Sequence, residues 1–543
     1  MIKLNVKKYR WLIYLFFLTI LGISLRIYKL GELPASMHRD ELAIAYNAYS
    51  ILKTGKDEWG VSTPLSFKSF GDYKLPAMVY ATIPGIKLFG LTPFGARLPA
   101  ALYSSLAIPI TFLFVEELFK SKKMALIASL ILTVSFWHLS NSRNIYEPVI
   151  IISLSILSYW ALFKAKKNIK YLYLSLFFFL TSIWVYNTAI LIFPPLFVIW
   201  LAYNWKQLAN SAKTIWLMAL ITLLALTLTS ILLTSGITQG KSQTTLLFSS
   251  ELIDQQQERL HRFWSSGIPL FPVFTKWERV FQIGHYFYKS YIASIDPNYF
   301  FFTGGNNDWH NLRSIGFGDM NPALLPFAMF GLIYMAKKYK KPEYFFVLAL
   351  FVTSPIPSAI TVDAPNTNRL IDLHFVLMVL ATFGFYQVVL TAKSKISRLA
   401  LACSVIIFFV FTGQFLFRYF VIYNKLLSEQ WQPNLPELVR KVASEQENYD
   451  QVFVEPTIPA VYIYYAFYTQ FRPELLQSVS RVKSATFNPV DQLGHVTFGE
   501  YQSQNTKQKT LIVESVKDEL HDQDLVFTIN NWEGKPIWQG YEK

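Results

Sequence analysis

The sequence is poor in cysteine and in charged residues. A single cysteine, Cys403, excludes an intramolecular disulfide, and its position inside an apolar run argues against cysteine-based catalysis. Charged residues make up only 16% of the 543 residues, whereas hydrophobic residues make up 52%. This balance is too apolar for an ordinary soluble protein and indicates a polytopic membrane protein.

The net charge of +15 is unevenly distributed along the chain. Residues 424–543 carry 11 Lys and Arg against 16 Asp and Glu, a net charge of −5, so the preceding residues carry +20. That positive charge lies in segments between apolar runs, which is typical of a membrane protein, and we therefore expect membrane lipids as partners and no nucleic acid.

Apolar runs long enough to cross a bilayer recur through the first 420 residues. We predict about eleven spans, near 11–28, 98–117, 123–139, 148–163, 170–186, 188–204, 214–234, 323–336, 344–360, 370–390 and 399–420. The first run follows four basic residues but lacks a small-residue cleavage site, so we expect it to remain as an uncleaved anchor.

Lysine and arginine clusters in alternate short loops predict the orientation. They lie in segments 120–123, 164–170, 337–341 and 393–398, which the positive-inside rule assigns to the cytoplasm together with the N-terminus. Segments 29–97, 141–147, 235–322 and 361–369 then face outward, as does the C-terminal region. We expect a multi-pass protein of the plasma or inner membrane with an extracytoplasmic active site.

Two apolar segments of the first outer loop are predicted to be interfacial helices rather than spans. Segment 42–52, LAIAYNAYSIL, has apolar residues at helical spacing and stops at Gly55, and Asp40 and Glu41 stand at its start. Segment 75–91 is equally apolar, but a span there would invert every later loop.

Residues 424–543 are predicted to form a small α/β domain. Short β-prone runs at 451–454, 510–513 and 525–529 alternate with helical patterns such as 436–447. We therefore divide the chain into a transmembrane domain, 1–423, and an extracytoplasmic domain, 424–543.

Ionisable residues are nearly absent from the middle of the third to seventh predicted spans, which disfavours an ion-coupled transporter. The outward segments instead combine acids with cations: Asp40, Glu41, Asp72, Lys74, Arg97, Arg143, Glu147, Arg313, Asp363 and Arg369. Transfer of a sugar from a polyprenyl phosphate needs both, because the leaving phosphate needs cationic partners and the attacking hydroxyl needs a base. No predicted cytoplasmic loop is long enough to bind a nucleotide-sugar donor.

Four stretches in matching order resemble the motifs of the GT-C membrane glycosyltransferases: RDELAIAYNAYSILKTGKDEWG, SFGDYKLPAMVYATIPGIKLFG, ARLPAAL and WHLSNSRNIYEP. They are most similar to the protein O-mannosyltransferase and ArnT aminoarabinose-transferase superfamily, including its RgtA/B/C/D-like bacterial members. SIDPNYFFFTGG and PSAITVDAPNTNRL also resemble segments of those members, so the similarity covers roughly residues 1–420.

The resemblance implies a mainly α, GT-C transmembrane fold and inverting transfer of a hexosyl or pentosyl group from a polyprenyl-phosphate donor. It implies catalytic roles for Asp40 and Glu41, with Asp40 as the general base, and places Lys74 near the donor phosphate. Arg143, Arg369 and Arg313 are further candidates for phosphate binding. Glu147 and Asp72 are candidates for orienting the acceptor or holding a divalent metal ion, a cofactor that the sequence leaves open.

Other interpretations of the same residues remain open. Asp40 and Glu41 suit the N-terminal cap of a helix, Glu147 suits the start of a span before Pro148, and Arg97 and Arg143 could extend to lipid headgroups. His38 could be a metal ligand or a solvated side chain. A lipid-linked sugar or polymer transporter and a non-catalytic scaffold are the alternative functions. The sugar and the acceptor, whether glycan, lipid or protein, are not specified.

Overall fold

The computed structural model describes residues 6–70, 73–208, 272–305, 312–426, 434–455, 460–481, 489–501, 508–516 and 524–543. The predicted span at 214–234 and the candidate Asp72 lie outside these residues. The described chain is mainly helical with a small C-terminal sheet, as the sequence predicts.

The helices are α1 (Val6–Ile27), α2 (Arg39–Thr54), α3 (Pro76–Phe89), α4 (Pro93–Ser105), α5 (Ala107–Phe119), α6 (Lys122–Thr133), α7 (Phe136–Asn141), α8 (Glu147–Lys164), α9 (Lys170–Ile183), α10 (Ala189–Leu208), α11 (Pro272–Ala293), α12 (Leu325–Lys337), α13 (Pro342–Thr353), α14 (Ile356–Ala359), α15 (Ile371–Thr391), α16 (Lys395–Phe417), α17 (Tyr423–Leu426), α18 (Leu435–Glu445), α19 (Val461–Tyr468) and α20 (Pro473–Ser478). The strands are β1 (Phe67–Lys68), β2 (Tyr73–Lys74), β3 (Gln451–Val454), β4 (Gln492–Leu493), β5 (Val496–Phe498), β6 (Thr510–Ser515), β7 (Leu525–Asn530) and β8 (Pro536–Glu542).

Within the described residues, five helical segments are long and apolar enough to cross a membrane: Tyr9–Ile27, Pro93–Phe119, Glu147–Lys164, Ile371–Thr391 and Lys395–Lys425. Shorter apolar helices coincide with further predicted spans, at Lys170–Ile183, Ala189–Asn204 and Pro322–Lys337. The chain is therefore a multi-pass membrane protein, while the count of eleven spans stays a prediction. Helix α3 has only 14 residues, with Pro84 inside it, and is too short for an untilted span.

The chain contains two compact units, and neither is continuous in sequence. One comprises Met1–Leu25, Tyr103–Asn141 and Glu147–Leu416, and the other comprises Arg26–Leu102, Ser142–Tyr146 and Phe417–Lys543. The second unit thus combines the segment predicted as the first outer loop with the C-terminal region, whereas the predicted boundary at residue 423 separates them. That boundary stays a prediction.

The first unit is a helical bundle in which α12 and α15 pack closely. A Cβ atom on Gly384 would lie 2.0 Å from the carbonyl oxygen of Phe327, and one on Gly331 would lie 2.2 Å from that of Leu380. Such backbone contact is the usual way in which small residues let membrane helices approach each other.

The second unit contains a six-stranded sheet in the order β4-β5-β3-β6-β8-β7. Strand β3 is parallel to both β5 and β6, and the remaining pairs are antiparallel. The β-prone runs at 451–454, 510–513 and 525–529 are thus confirmed as strands, and the helical pattern at 436–447 coincides with α18.

Helix α2 confirms the helix predicted at 42–52 and ends at Gly55, which adopts the left-handed conformation at φ 73°. Its residues from Glu41 to Ala48 are all buried, because α3, α19 and α20 pack against it. This burial differs from the expectation of an amphipathic helix with one exposed face, and its cause is packing by C-terminal helices that no local pattern reveals.

Candidate active site

The start of α2 is fixed by a reciprocal cap. The backbone N–H of His38 donates to Glu41 Oε2 at 3.1 Å, and His38 Nδ1 accepts from the backbone N–H of Asp40 at 3.3 Å. These bonds satisfy N–H groups that a helix start leaves without intrahelical partners. The capping role predicted as an alternative therefore falls to His38 and Glu41, and it leaves the Asp40 carboxylate available for other contacts.

Glu41 is a fully buried acid paired with a fully buried cation. Arg97, in the first turns of α4, donates from Nε to Oε1 at 3.1 Å and from Nη2 to Oε2 at 3.0 Å. The backbone N–H of Ile145 also donates to Oε1, at 2.8 Å. Because these protein groups occupy both oxygens, Glu41 joins the start of α2 to α4 and to the loop before α8.

The Arg97 guanidinium also donates to backbone carbonyl oxygens. Nη1 donates to Pro34 at 2.9 Å, and Nη2 donates to Ser36 at 2.8 Å. Its side chain is fully buried, so it does not extend to lipid headgroups. Arg97 and Glu41 together shape the loop that leads into α2.

Asp40 differs from Glu41 in being accessible, with 33% of its side chain exposed. Lys74 donates from Nζ to Asp40 Oδ1 at 2.6 Å, although its own side chain is only 4% exposed. The short hairpin of β1 and β2 holds Lys74, which pairs with Phe67 across the strands. His38 Nδ1 lies 3.5 Å from the second Asp40 oxygen, Oδ2. An accessible carboxylate thus lies beside a nearly buried ammonium group at a helix N-terminus.

Two buried tyrosines are affected by the charges of Asp40 and Glu41. Burial raises the pKa of Tyr146 and of Tyr464, and the negative charges of Glu41 and Asp40 add to the increase in both cases. Both phenols therefore stay protonated at neutral pH. Tyr146 belongs to the loop before α8, and Tyr464 belongs to α19, so two distant parts of the chain contribute to the surroundings of Asp40.

Arg143, a predicted phosphate-binding residue, is fully buried in the second unit. It donates from Nη1 to the carbonyl oxygen of Arg26 at 2.9 Å and from Nη2 to that of Leu33 at 3.2 Å. Its guanidinium also lies over the rings of Tyr419 and Phe420, at 5.7 and 5.1 Å. These contacts make Arg143 a structural support of the loop after α1, and its role with phosphate stays a prediction.

Three further predicted residues, Arg313, Arg369 and Glu147, lie in the first unit. Arg369 forms an ion pair with Asp363 and donates to Thr361 Oγ1 at 3.2 Å. Arg313 is exposed at the start of a single 3-10 turn, and Glu147 is the first residue of α8, the helix start expected before Pro148. The structure thus brings Asp40, Glu41, Lys74 and Arg143 into one unit and places Arg313, Arg369 and Glu147 in the other.

A buried polar network in the first unit was not predicted from the sequence. His374 Nε2 lies 2.9 Å from Asp319 Oδ2, and Thr367 donates to the same oxygen at 2.8 Å. The Tyr299 hydroxyl lies 2.6 Å from Thr367 Oγ1. Sequence reasoning missed this network because Asp319 lies 48 positions before Thr367 and 55 before His374, so the three residues form no recognisable motif.

Among the residues that the structure describes, no group of three or more His, Cys, Asp and Glu side chains is placed to hold a metal ion. Asp40 instead has a lysine as its nearest charged partner. The adjacent ammonium group makes the Asp40 carboxylate a poor ligand for a divalent cation, and the metal roles of Glu147 and Asp72 stay predictions.

Comparisons with known proteins relate the chain to glycosyltransferases. A family profile described as Dolichyl-phosphate-mannose-protein mannosyltransferase matches residues 74–232. A search of the curated proteins found no match.

Solved structures of two membrane enzymes share the fold. ArnT from Cupriavidus metallidurans matches with a TM-score of 0.53 in the apo state and 0.52 when bound to undecaprenyl phosphate, at 10% and 11% identity and with 98% of each chain covered. The Archaeoglobus fulgidus oligosaccharyltransferase in its apo form matches with a TM-score of 0.52 at 13% identity, over 85% of this chain.

This chain spans 64% of the oligosaccharyltransferase chain, less than two thirds of its length. That archaeal enzyme, AglB, has also been solved in complex with an inhibitory peptide and a dolichol-phosphate, and this structure matches with a TM-score of 0.50 at 13% identity. The chain therefore has the GT-C glycosyltransferase fold, and its predicted resemblance to the protein mannosyltransferase and ArnT group is confirmed.

Proposed function

We propose that this protein is a glycosyltransferase that moves a sugar from a polyprenyl-phosphate donor to an acceptor hydroxyl on the outer face of the membrane. The observation that carries the proposal is the pairing of an accessible carboxylate, Asp40, with a nearly buried cation, Lys74, on a GT-C fold. The polyprenyl phosphates bound to ArnT and AglB support this class of donor.

In the proposed reaction, Asp40 removes the proton of the acceptor hydroxyl. The acceptor oxygen forms a bond to the anomeric carbon as the bond from that carbon to the phosphate oxygen breaks. The electron pair leaves with the polyprenyl phosphate, and attack from the opposite face inverts the anomeric configuration. A carboxylate that is one-third exposed can reach such a hydroxyl, whereas the fully buried Glu41 cannot.

Lys74 is suited to stabilise the departing phosphate. Its ammonium group lies 2.6 Å from Asp40, so a phosphate that binds beside Asp40 also meets Lys74. Burial strengthens this attraction, because little water screens an ammonium group that is 4% exposed. The positive end of the α2 dipole adds a favourable field for a negative charge.

Glu41 acts in this proposal as a positioning residue rather than as a second base. Its carboxylate accepts from Arg97, Ile145 and His38, and these bonds fix the first turn of α2 on which Asp40 stands. Precise placement of a base is worth orders of magnitude in rate.

The test is transfer of radiolabelled sugar from a panel of polyprenyl-phosphate donors in membranes that contain the wild type, Asp40→Asn, Lys74→Met or Asp491→Asn. Asp491 is an exposed aspartate before β4 and serves as the matched control. We expect Asp40→Asn to lose about 10²-fold or more of the rate, Lys74→Met to lose rate and donor affinity, and the control to equal the wild type.

Full activity of Asp40→Asn would remove Asp40 from the role of base. Failure of the wild type to consume any donor of the panel would remove the transferase proposal and favour a transporter of lipid-linked sugars. An anomeric configuration retained in the product would contradict the inverting mechanism.

A further inference from the structure

Helix α2, which carries Asp40, is held by hydrogen bonds from the C-terminal region. Gln477 Nε2 in α20 lies 3.0 Å from Ser50 Oγ, 3.0 Å from Thr54 Oγ1 and 2.9 Å from the carbonyl oxygen of Asp57. The Tyr46 hydroxyl donates to the carbonyl oxygen of Phe471 at 2.8 Å. One glutamine thus joins the last turns of α2 to the loop that follows it.

A buried acid, Glu58, also anchors the middle of α2 through Asn47. Glu58 is fully buried, and the Tyr462 hydroxyl in α19 donates to its Oε2 at 3.2 Å. Asn47 in α2 donates from Nδ2 to Glu58 Oε1 at 3.4 Å and accepts from the Glu58 backbone N–H at 2.9 Å. Arg481 Nη1 lies 3.8 Å from Glu58 Oε2, so a cation compensates the buried acid.

Arg481 and α19 provide further contacts around α2 and the loop that follows it. The Arg481 guanidinium lies 4.0 Å from the ring centre of Trp59 and donates to the carbonyl oxygen of Glu58. At the other end, α19 places Tyr464 where the charges of Asp40 and Glu41 affect its phenol. Residues 460–481 therefore contact α2 along much of its length.

We propose that residues 460–481, which we name the clasp, are a positioning element of the active site that acts through α2 to hold the Asp40 carboxylate in place. This inference rests on the proposed function, since it assigns the clasp to the site at which Asp40 takes the acceptor proton. No residue of the clasp needs to touch a substrate for this role.

The contacts along α2 set the position of its first turn, because a helix moves largely as one body. Helix α2 has 16 residues and is about 24 Å long. Asp40 lies in its first turn, whereas Gln477 fixes its last turns. Glu58 holds the middle of the helix through Asn47. Release of the last turns lets the helix tilt and rotate about its Glu41 anchor, and a displacement of about 1 Å at a catalytic group can cost about 10²-fold in rate.

The test uses the full-length protein with Gln477→Ala and Tyr462→Phe, which remove hydrogen bonds but no buried charge. Gln492→Ala is the matched control, because Gln492 is exposed and its side chain donates within its own turn, to the carbonyl oxygen of Gly494. We expect kcat per folded molecule to fall about tenfold or more in the double variant while KM for the donor stays within about twofold. Hydrogen exchange of residues 39–54 should accelerate in the same variant.

An unchanged kcat per folded molecule in the double variant would overturn the proposal, even if its yield or unfolding temperature falls. The proposed function is tested separately in the same assay. Full activity of Asp40→Asn would reject the role of Asp40 as the base, whatever the result for the double variant. An inactive Asp40→Asn together with a fully active double variant rejects the clasp alone.

Discussion

Arg97 and Glu41 are joined by two hydrogen bonds of 3.1 and 3.0 Å between a guanidinium and a carboxylate that are both fully buried. Neither charge can be solvated if the other is removed. The pair also spans 56 residues of sequence, so it fixes the relation between the start of α2 and the start of α4 within their unit.

Glu41→Gln should therefore destabilise the protein strongly. Neutralising the acid leaves a buried arginine without its counter-charge, which typically costs about 3–5 kcal/mol. The measurement is tryptophan-fluorescence unfolding of the detergent-solubilised protein, with Glu533→Gln in the exposed turn between β7 and β8 as control. Equal unfolding temperatures for the two variants would contradict this expectation.

Substitution of Arg143 distinguishes its two possible roles, which are support of the loop after α1 and binding of the donor phosphate. Its donors are directed to the carbonyl oxygens of Arg26 and Leu33, so Arg143→Met should lower the free energy of unfolding by about 2 kcal/mol or more. Thermal unfolding and the donor KM should be measured on the same preparation. A raised KM with unchanged stability would instead support the phosphate role.

The close approach of α12 and α15 predicts a steric effect at Gly384. A methyl group there would lie 2.0 Å from the Phe327 carbonyl oxygen, so Gly384→Ala should cost about 1–3 kcal/mol as the backbones separate. Gly413→Ala in α16 is the matched control, because no atom lies within 4 Å of a Cβ at that position. The control should be neutral or slightly stabilising in the same unfolding assay.

The contribution of Glu58 to the stability of the fold depends on pH, because the side chain is buried. It raises the pKa of Glu58 above the ordinary 4.5, even though Arg481 and hydrogen bonds lower it. The folded protein therefore holds this proton more tightly than the unfolded chain. The contribution of Glu58 to stability is full below about pH 4.5 and is lost as the pH rises through the raised value.

The unfolding temperature of Glu58→Gln relative to the wild type should accordingly increase as the pH is raised from 4 to 7. Glu445→Gln provides a control of opposite sign, because hydrogen bonds from Lys441 and Asn448 lower the pKa of Glu445. Its carboxylate stabilises the fold above about pH 4.5, and this stabilisation is lost on acidification. Identical pH profiles for Glu58→Gln and the wild type would refute the assignment.

The pairing of Asp319 with His374 in the first unit predicts that substitution of either residue lowers the stability of the protein. His374→Phe removes a hydrogen-bond partner of a buried carboxylate, which should cost about 1–3 kcal/mol. Asp319→Asn should cost less, because an amide can keep the bond from Thr367. Unfolding measurements that rank the two variants in the reverse order would contradict this interpretation.

Local features of the sequence predicted much of the fold. Apolar length indicated the helices around 148–163 and 370–390, Gly55 indicated where α2 ends, and β-branched runs indicated strands such as β3. These signals work because hydrogen bonding and burial within one element depend on neighbouring residues.

The partners of the site residues could not be predicted in the same way. The charges of Asp40 and Lys74 suggested chemistry, but nothing local indicated that Glu41 pairs with Arg97 or that Tyr462 bonds to Glu58. Such contacts depend on how distant segments pack, and periodicity within one segment contains no information about that packing. The resemblance to a family indicated the residue types, and only the structure separates accessible Asp40 from buried Glu41.

The bond between Tyr46 and Phe471 joins residues 425 positions apart, and this separation has a consequence for biogenesis. During synthesis, α2 emerges early, whereas its covering helices are made only after the membrane segments between them. Contacts of such high sequence separation form late, because the loop-closure entropy must be overcome first. We therefore expect the position of α2, and with it that of Asp40, to become fixed only after the C-terminal helices have been synthesised and have folded onto α2.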